Sequence, residues 1–273
     1  MENLKSIIKS FPETKDLDLK DNELIIAYQY IKEKKAFKPN DKNHKYEPIL
    51  KFDPIRVEYQ YSKAYKEALE LLEKAKKVDA KYYGDYILKA SFKEFEILNS
   101  DRERVLLKAQ AFVENFEKGK YIKGLYFYGK NRTGKTYLLS AIANELAKKD
   151  IETVFTYIPD LIRAIHGGIN DNTVEARVKH LKYADLVVFD DIGSAFMSLW
   201  FRDQVFGPII EHRLSSGLPV LFSSNLNLKT LGTHFIDEKT DTDKYNAVRL
   251  LTRITELAEE VKFSEEQYKN IDR

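Results

Sequence analysis

GLYFYGKNRTGKT, Gly124 to Thr136, runs an apolar β-like stretch directly into the pattern GxxxxGK[ST], and its reading decides the fold. A turn that wraps a polyphosphate needs backbone N–H groups pointing inward, glycine where a Cβ would block approach, and the positive end of a helix behind it. The helix follows at once: TYLLSAIANELAKK, Thr136 to Lys149, sets Leu139, Ile142, Ala143 and Leu146 on one face and ends in two lysines that suit a C-terminal dipole. Strand, loop and helix in this order predict a P-loop and a nucleoside triphosphate as ligand. The amides from Lys130 to Thr136 line the cradle. Gly129, Lys130, Asn131, Arg132, Thr133, Gly134, Lys135, Thr136 and Tyr137 are the nucleotide-binding candidates. Lys135 is placed for the β- and γ-phosphates and the Thr136 hydroxyl for Mg²⁺.

Working outward, 273 residues exceed the usual single domain, so two domains are expected, each with its own core. There is no cysteine, which removes disulfides, thiol catalysis and Cys-ligated zinc and fits a reducing compartment, the cytoplasm. MENLKSIIKSF is too interrupted by charge for a signal peptide, and no apolar run approaches the roughly 20 residues of a membrane span, so a soluble protein without membrane contact is expected. Residues 1–85 hold 18 Lys+Arg against 16 Asp+Glu and the remainder 27 against 27. That balance gives no electrostatic footprint for nucleic acid.

The composition changes near residue 85, giving a domain over 1–85, a helical connector over 86–120 and an ATPase domain over 121–273. In the first, Glu23–Lys35 reads as a helix, Ile55–Tyr61 as a half-buried strand and Ala64–Lys77 as an amphipathic helix. Ser100–Lys118 reads as the connecting helix, with Ser100 as N-cap, Glu103 completing a capping box, and the stripe Val105, Ala109, Phe112, Phe116. Beyond the P-loop, VFTYI, LVVFD and VLFSSN are short continuous apolar runs alternating with helices, including Val174–Lys182. Buried parallel strands have this form. The fold class is α/β, a mostly parallel sheet with its active site at the carboxyl ends of the strands, preceded by a small α+β domain.

Gly129, Asp190, Asp191 and Asn225 all fall at such ends. Asp190 closes LVVFD and suits the Mg²⁺ shell; Asp191 could orient or deprotonate the attacking water; the Asn225 amide could sense the γ-phosphate or simply form a turn. Arg249 and Arg253 share a helix face beside Val248, Leu251, Ile254 and Leu257. They could serve a neighbouring subunit's transition state or pair within the chain. Trp200 and Phe201 are expected in the core, at the start of a helix that Pro208 should kink.

The runs KGLYFYGKNRTGKTYLLSAIANELAKK, VVFDDIG, MSLWFRDQVFGPIIEHRLSSGLPVLFSSN and VRLLTRI together resemble bacterial replicative helicase loaders of the DnaI and DnaC type and, more distantly, IstB-type transposition ATPases. The resemblance spans about residues 86–262. It implies an AAA+ ATPase core that binds ATP and single-stranded DNA, assembles with itself, and carries an N-terminal domain that docks on the hexameric replicative helicase. It also implies Walker A at Lys135 and Thr136, Walker B at Asp190 and Asp191, sensor 1 at Asn225, and an arginine finger at Arg253. A DNA-contacting insertion would span Pro159–Tyr183, with Arg163 and Lys179 as candidates. Arg132 stands where the family has glycine. Ser62 stands where a zinc-binding cysteine is expected, implying a zinc-free domain closed by aromatics such as Tyr46, Phe52, Tyr59 and Tyr61. Sensor 2 has only Lys269 and Arg273 near its expected position, and Asp191 replaces a common glutamate, implying slow, switch-like hydrolysis. A nucleotide-dependent adaptor of the transposition-helper type, or a small-molecule kinase, are the other readings.

Overall fold

The computed structural model describes residues 2–80, 83, 86–168, 173–236 and 244–263. The chain forms two compact units, Met1–Glu73 and Lys74–Arg273.

In the first unit, helices Glu2–Ser10 and Asp21–Ala36 pack on an antiparallel ribbon, β1 (Tyr46–Lys51) and β2 (Arg56–Tyr61), in the register Tyr46↔Tyr61 to Lys51↔Arg56. The core is Ile8, Leu24, Ala27, Tyr30 and Ile31, with Leu50 and Val57 of the ribbon packed against it. The aromatics expected to close this core do not: Tyr46, Phe52, Tyr59 and Tyr61 are all exposed. The two-residue period puts Tyr46, Tyr59 and Tyr61 on the same face as Leu50 and Val57, but only the latter pair packs against the apolar core of the helices. Tyr46 and Tyr61 instead stack on each other at 5.4 Å, and the Tyr59 hydroxyl donates to Glu33 at 2.7 Å, uses suited to rings with a polar tip. Ser62 is fully buried and its Oγ accepts from the Tyr65 amide at 3.2 Å, capping helix Lys63–Lys77.

The second unit is built on six parallel strands: β3 (Val78–Asp79), β4 (Gly124–Tyr128), β5 (Thr153–Tyr157), β6 (Leu186–Asp190), β7 (Val220–Ser224) and β8 (Ala258–Lys262), in the order β3-β5-β6-β7-β4-β8. Alternate residues feed two cores. Leu125, Phe127, Phe155, Leu186, Val188 and Leu221 meet helices Ser100–Asn115 and Lys135–Ala147. Tyr126, Val154, Val187, Phe189, Val220 and Phe222 meet helices Ile158–Gly167, Val174–Tyr183, Gly207–Ser215 and Tyr245–Leu257. A sheet covered on both faces explains why the inner strands β5, β6, β7 and β4 read as largely apolar runs.

The division between units falls at Glu73–Lys74, ahead of residue 85, because β3 pairs with β5 through Val78↔Thr153 and Asp79↔Val154. Helix Ser100–Asn115, read from sequence as a connector, buries Val105, Ala109 and Phe112 in the main core. Its N-cap is Asn99, whose Oδ1 accepts from the Arg102 amide at 2.9 Å, in place of Ser100, and it ends three residues before Lys118. At Pro208 the single helix expected from the sequence is divided into two elements. A π-helical turn, Phe201–Phe206, leads into the α-helix, and the proline occupies the first α-turn, where no N–H is needed. Phe201 is fully buried, whereas Trp200 is 40% exposed and lies against His166, so only one of the two is core. Among the described residues no helix is long and apolar enough to cross a membrane.

Gly124 opens β4 where a Cβ would overlap the Val220 carbonyl oxygen on the neighbouring strand. Backbone cannot yield as a side chain does. Gly124→Ala is therefore expected to cost about 3 kcal/mol, read as a lower denaturant midpoint at unchanged m-value.

Candidate nucleotide-binding site

Because β6, β7 and β4 are adjacent and parallel, their carboxyl ends bring Asp190, Asn225 and Gly129 to one edge. From there the loop 129–134 turns back into helix Lys135–Ala147. Gly129 (φ 151°), Arg132 (φ 62°) and Gly134 (φ 99°) all take left-handed backbone. Arg132 thus adopts a conformation that glycine takes freely, at a strain of roughly 1 kcal/mol. Asp191, just past β6, is also left-handed at φ 59°; strain of this kind concentrates at functional sites.

The side chains close on one another. Lys135 is 7% exposed, and its ammonium donates to three neutral oxygens: Gly129 O at 2.8 Å, Lys130 O at 2.8 Å and Asn225 Oδ1 at 3.0 Å. Burial lowers its pKa, opposed by the charges of Asp191 and Asp190. Asn225 bridges outward, its Nδ2 donating to Asp191 Oδ1 at 3.2 Å. Asp190 is 3% exposed and accepts from Thr136 Oγ1, 3.0 Å from both carboxylate oxygens, from the Tyr83 hydroxyl at 2.7 Å, and from Ser223 Oγ. Burial raises the Asp190 pKa, and the hydrogen bonds from Ser223, Tyr83 and Thr136 work against that rise. Ser223 Oγ also accepts from the Asp191 amide at 2.9 Å, so one hydroxyl joins both aspartates.

These residues fit a nucleotide and its metal. A buried ammonium held only by neutral oxygens can trade them for phosphate, which makes stronger, charge-assisted bonds. A hydroxyl and a carboxylate in contact offer the hard oxygen donors that Mg²⁺ prefers. A cleft of about 500 Å³ opens beside them, lined by Gly129, Lys130, Asn131, Asn225, Asn227 and Lys262.

Two further candidates point elsewhere. The Tyr137 ring stacks on Phe95 at 6.2 Å and its hydroxyl lies 3.2–3.3 Å from the Ser91 backbone, leaving only its amide at the loop. Arg253 ion-pairs with Glu211, with Arg249 3.9 Å from the same carboxylate, in a separate groove of about 540 Å³. On that helix the buried stripe is Ala247, Leu250, Ile254 and Leu257; Val248, expected within it, is exposed. Arg163 ion-pairs with Asp160, and Lys179 is exposed. Lys269 and Arg273 lie outside the described residues.

Sequence reasoning missed Tyr83, Ser223 and Arg102. Arg102 is nearly fully buried; its Nη1 donates to the Thr133 carbonyl inside the loop, its Nε to Glu96 O at 2.7 Å, and its guanidinium lies 4.3 Å over Phe95. It braces the phosphate loop from behind. An arginine inside an amphipathic helix that interrupts its apolar face was the available signal.

The Bacillus subtilis (strain 168) replicative helicase loader DnaI is 29% identical over 275 residues, covering 97% of this chain and 88% of that protein. A crystal structure of DnaI superposes with a TM-score of 0.64 at 32% identity over 71% of this chain and 98% of that one. AMPPCP-bound DnaA from Aquifex aeolicus, at 21% identity and a TM-score of 0.52, covers 64% of this chain and 50% of that one and has the same fold. The second unit is thus a P-loop core of AAA+ type. The family model for the IstB-like ATP binding protein matches residues 89–273, the stretch that carries the loop, both aspartates and Asn225, and the chain belongs to that family.

Proposed function

We propose that the chain is an ATP-dependent loader that delivers the hexameric replicative helicase onto single-stranded DNA during replication initiation or restart, in the cytoplasm. The observation that carries this reading is the reach of the likeness to DnaI, 97% of the chain, which takes in the first unit that lies ahead of the family match at residue 89. A shared ATPase core alone would leave that unit unmatched.

In this reading the amides of Lys130–Thr136 and the Lys135 ammonium bind the β- and γ-phosphates. Thr136 and Asp190 hold Mg²⁺, which when bound neutralises charge building on the phosphate oxygens. Asp191 orients the attacking water, and Asn225, already touching both Lys135 and Asp191, registers the γ-phosphate between them. Arg253 reaches the site of a neighbouring copy. With aspartate at 191, one methylene shorter than glutamate, hydrolysis is slow and serves a switch. ATP binding favours the state that grips helicase and DNA, hydrolysis removes that preference, and the work done equals the difference in affinity between the states.

Size-exclusion chromatography with light scattering on a mixture with the host's replicative helicase tests this. A joint peak, altered by ATP, is the expected result. Separate elution with and without ATP overturns it and favours the transposition-helper reading.

A further inference from the structure

We propose that Tyr83 is a positioning residue for the metal-holding carboxylate, contributed by the segment ahead of the matched family region. The inference rests on the assignment of Asp190 to Mg²⁺ made above. Tyr83 lies 107 positions before Asp190, yet its hydroxyl donates to Asp190 Oδ2 at 2.7 Å. Its ring is fixed by β5, meeting Phe155 edge-on at 5.0 Å and Tyr157 at 6.4 Å, and it also meets Tyr86 at 6.5 Å.

The donors around Asp190 divide between its two oxygens. Ser223 serves Oδ1, Tyr83 serves Oδ2, and Thr136 straddles both. A Thr136 hydroxyl that binds a metal offers the metal its lone pair. Ser223 and Tyr83 then fix the plane of a carboxylate that is almost wholly removed from water. Groups that orient a metal's ligands from behind are worth roughly 10–100-fold in metal affinity. Tyr83 therefore makes the metal site depend on a segment outside the phosphate loop and outside residues 89–273. The tyrosine is well suited to this, because its ring packs whether or not the hydroxyl is present. Hydroxyl and packing can thus be separated by a single atom.

The test measures affinity for a fluorescent ATP analogue in EDTA and in saturating Mg²⁺; the ratio of the two dissociation constants is the coupling between metal and nucleotide. Tyr83→Phe is expected to lower that ratio about tenfold while leaving the EDTA value within twofold. Ser223→Ala should shift the ratio in the same direction. A wild-type ratio retained in Tyr83→Phe, or equal loss of affinity with and without metal, overturns the proposal and leaves Tyr83 a packing residue. If wild-type protein itself has a ratio of one, or Asp190→Asn keeps the wild-type ratio, the assignment of Asp190 fails and the proposal with it.

Discussion

Lys135→Ala is expected to abolish measurable ATP binding while the protein stays folded. The three protons of the ammonium all face neutral oxygens, two of them carbonyls of the loop itself. A triphosphate would convert those contacts into charge-assisted ones, each worth about 1.5–3 kcal/mol. Losing two of them costs roughly 3–6 kcal/mol, a factor of at least 10² in affinity. Stability should change little, because the orphaned oxygens border the 500 Å³ cleft, where water can replace the ammonium. The pairing of results is what counts: calorimetric titration should give no binding while the melting temperature stays within a few degrees of wild type. Wild-type affinity in the variant would remove Lys135 from the site.

Arg253→Ala is expected to bind ATP normally and lose turnover by about 10³-fold, the lower end of what an arginine supplied to a phosphoryl-transfer site contributes. Within one chain Arg253 is paired with Glu211, whose side chain is 45% exposed, and not with the phosphate loop. The Arg253 side chain is itself only 15% exposed, so the pair is partly shielded from water, and exchanging Glu211 for a phosphate on a neighbouring copy replaces one charge-assisted contact with another. The trans arrangement has its own signature. Mixing Arg253→Ala with Lys135→Ala protein should recover part of the ATPase rate, because a subunit with an intact loop can borrow the finger of one whose loop is broken. Unchanged hydrolysis in Arg253→Ala, or no recovery on mixing, would show that the ion pair with Glu211 is the residue's whole role.

The parts of the molecule legible in the sequence are those whose signal is local. GLYFY, the glycine-rich loop and the following helix must be contiguous to cradle a phosphate, and LVVFD spans β6 residue for residue. Burial on both sheet faces made β5 and β7 equally plain, whereas β8, which exposes Glu259, Glu260 and Lys262, was not read as a strand. The misses share the opposite property. β3 is two residues long and owes its existence to β5, and Tyr83 reaches Asp190 across 107 positions, so neither leaves a periodic trace. Arg102 and Ser223 are single polar residues whose partners lie on other elements. The exposed tyrosines of the first unit show the limit of pattern in another way: they share a face with Leu50 and Val57, but a shared face does not say which of its residues the core covers. On helix Tyr245–Leu257 the period was right and the phase was one residue off at Val248, which alters what the arginines stand beside.

The account depends most on the loop at residues 129–136 gripping a triphosphate with Mg²⁺. Isothermal titration of the purified full chain with Mg²⁺·ATP, run at two temperatures so that a zero enthalpy at one cannot hide binding, tests this directly. Saturable heat corresponding to one site per chain is the predicted result; no heat at either temperature would contradict it.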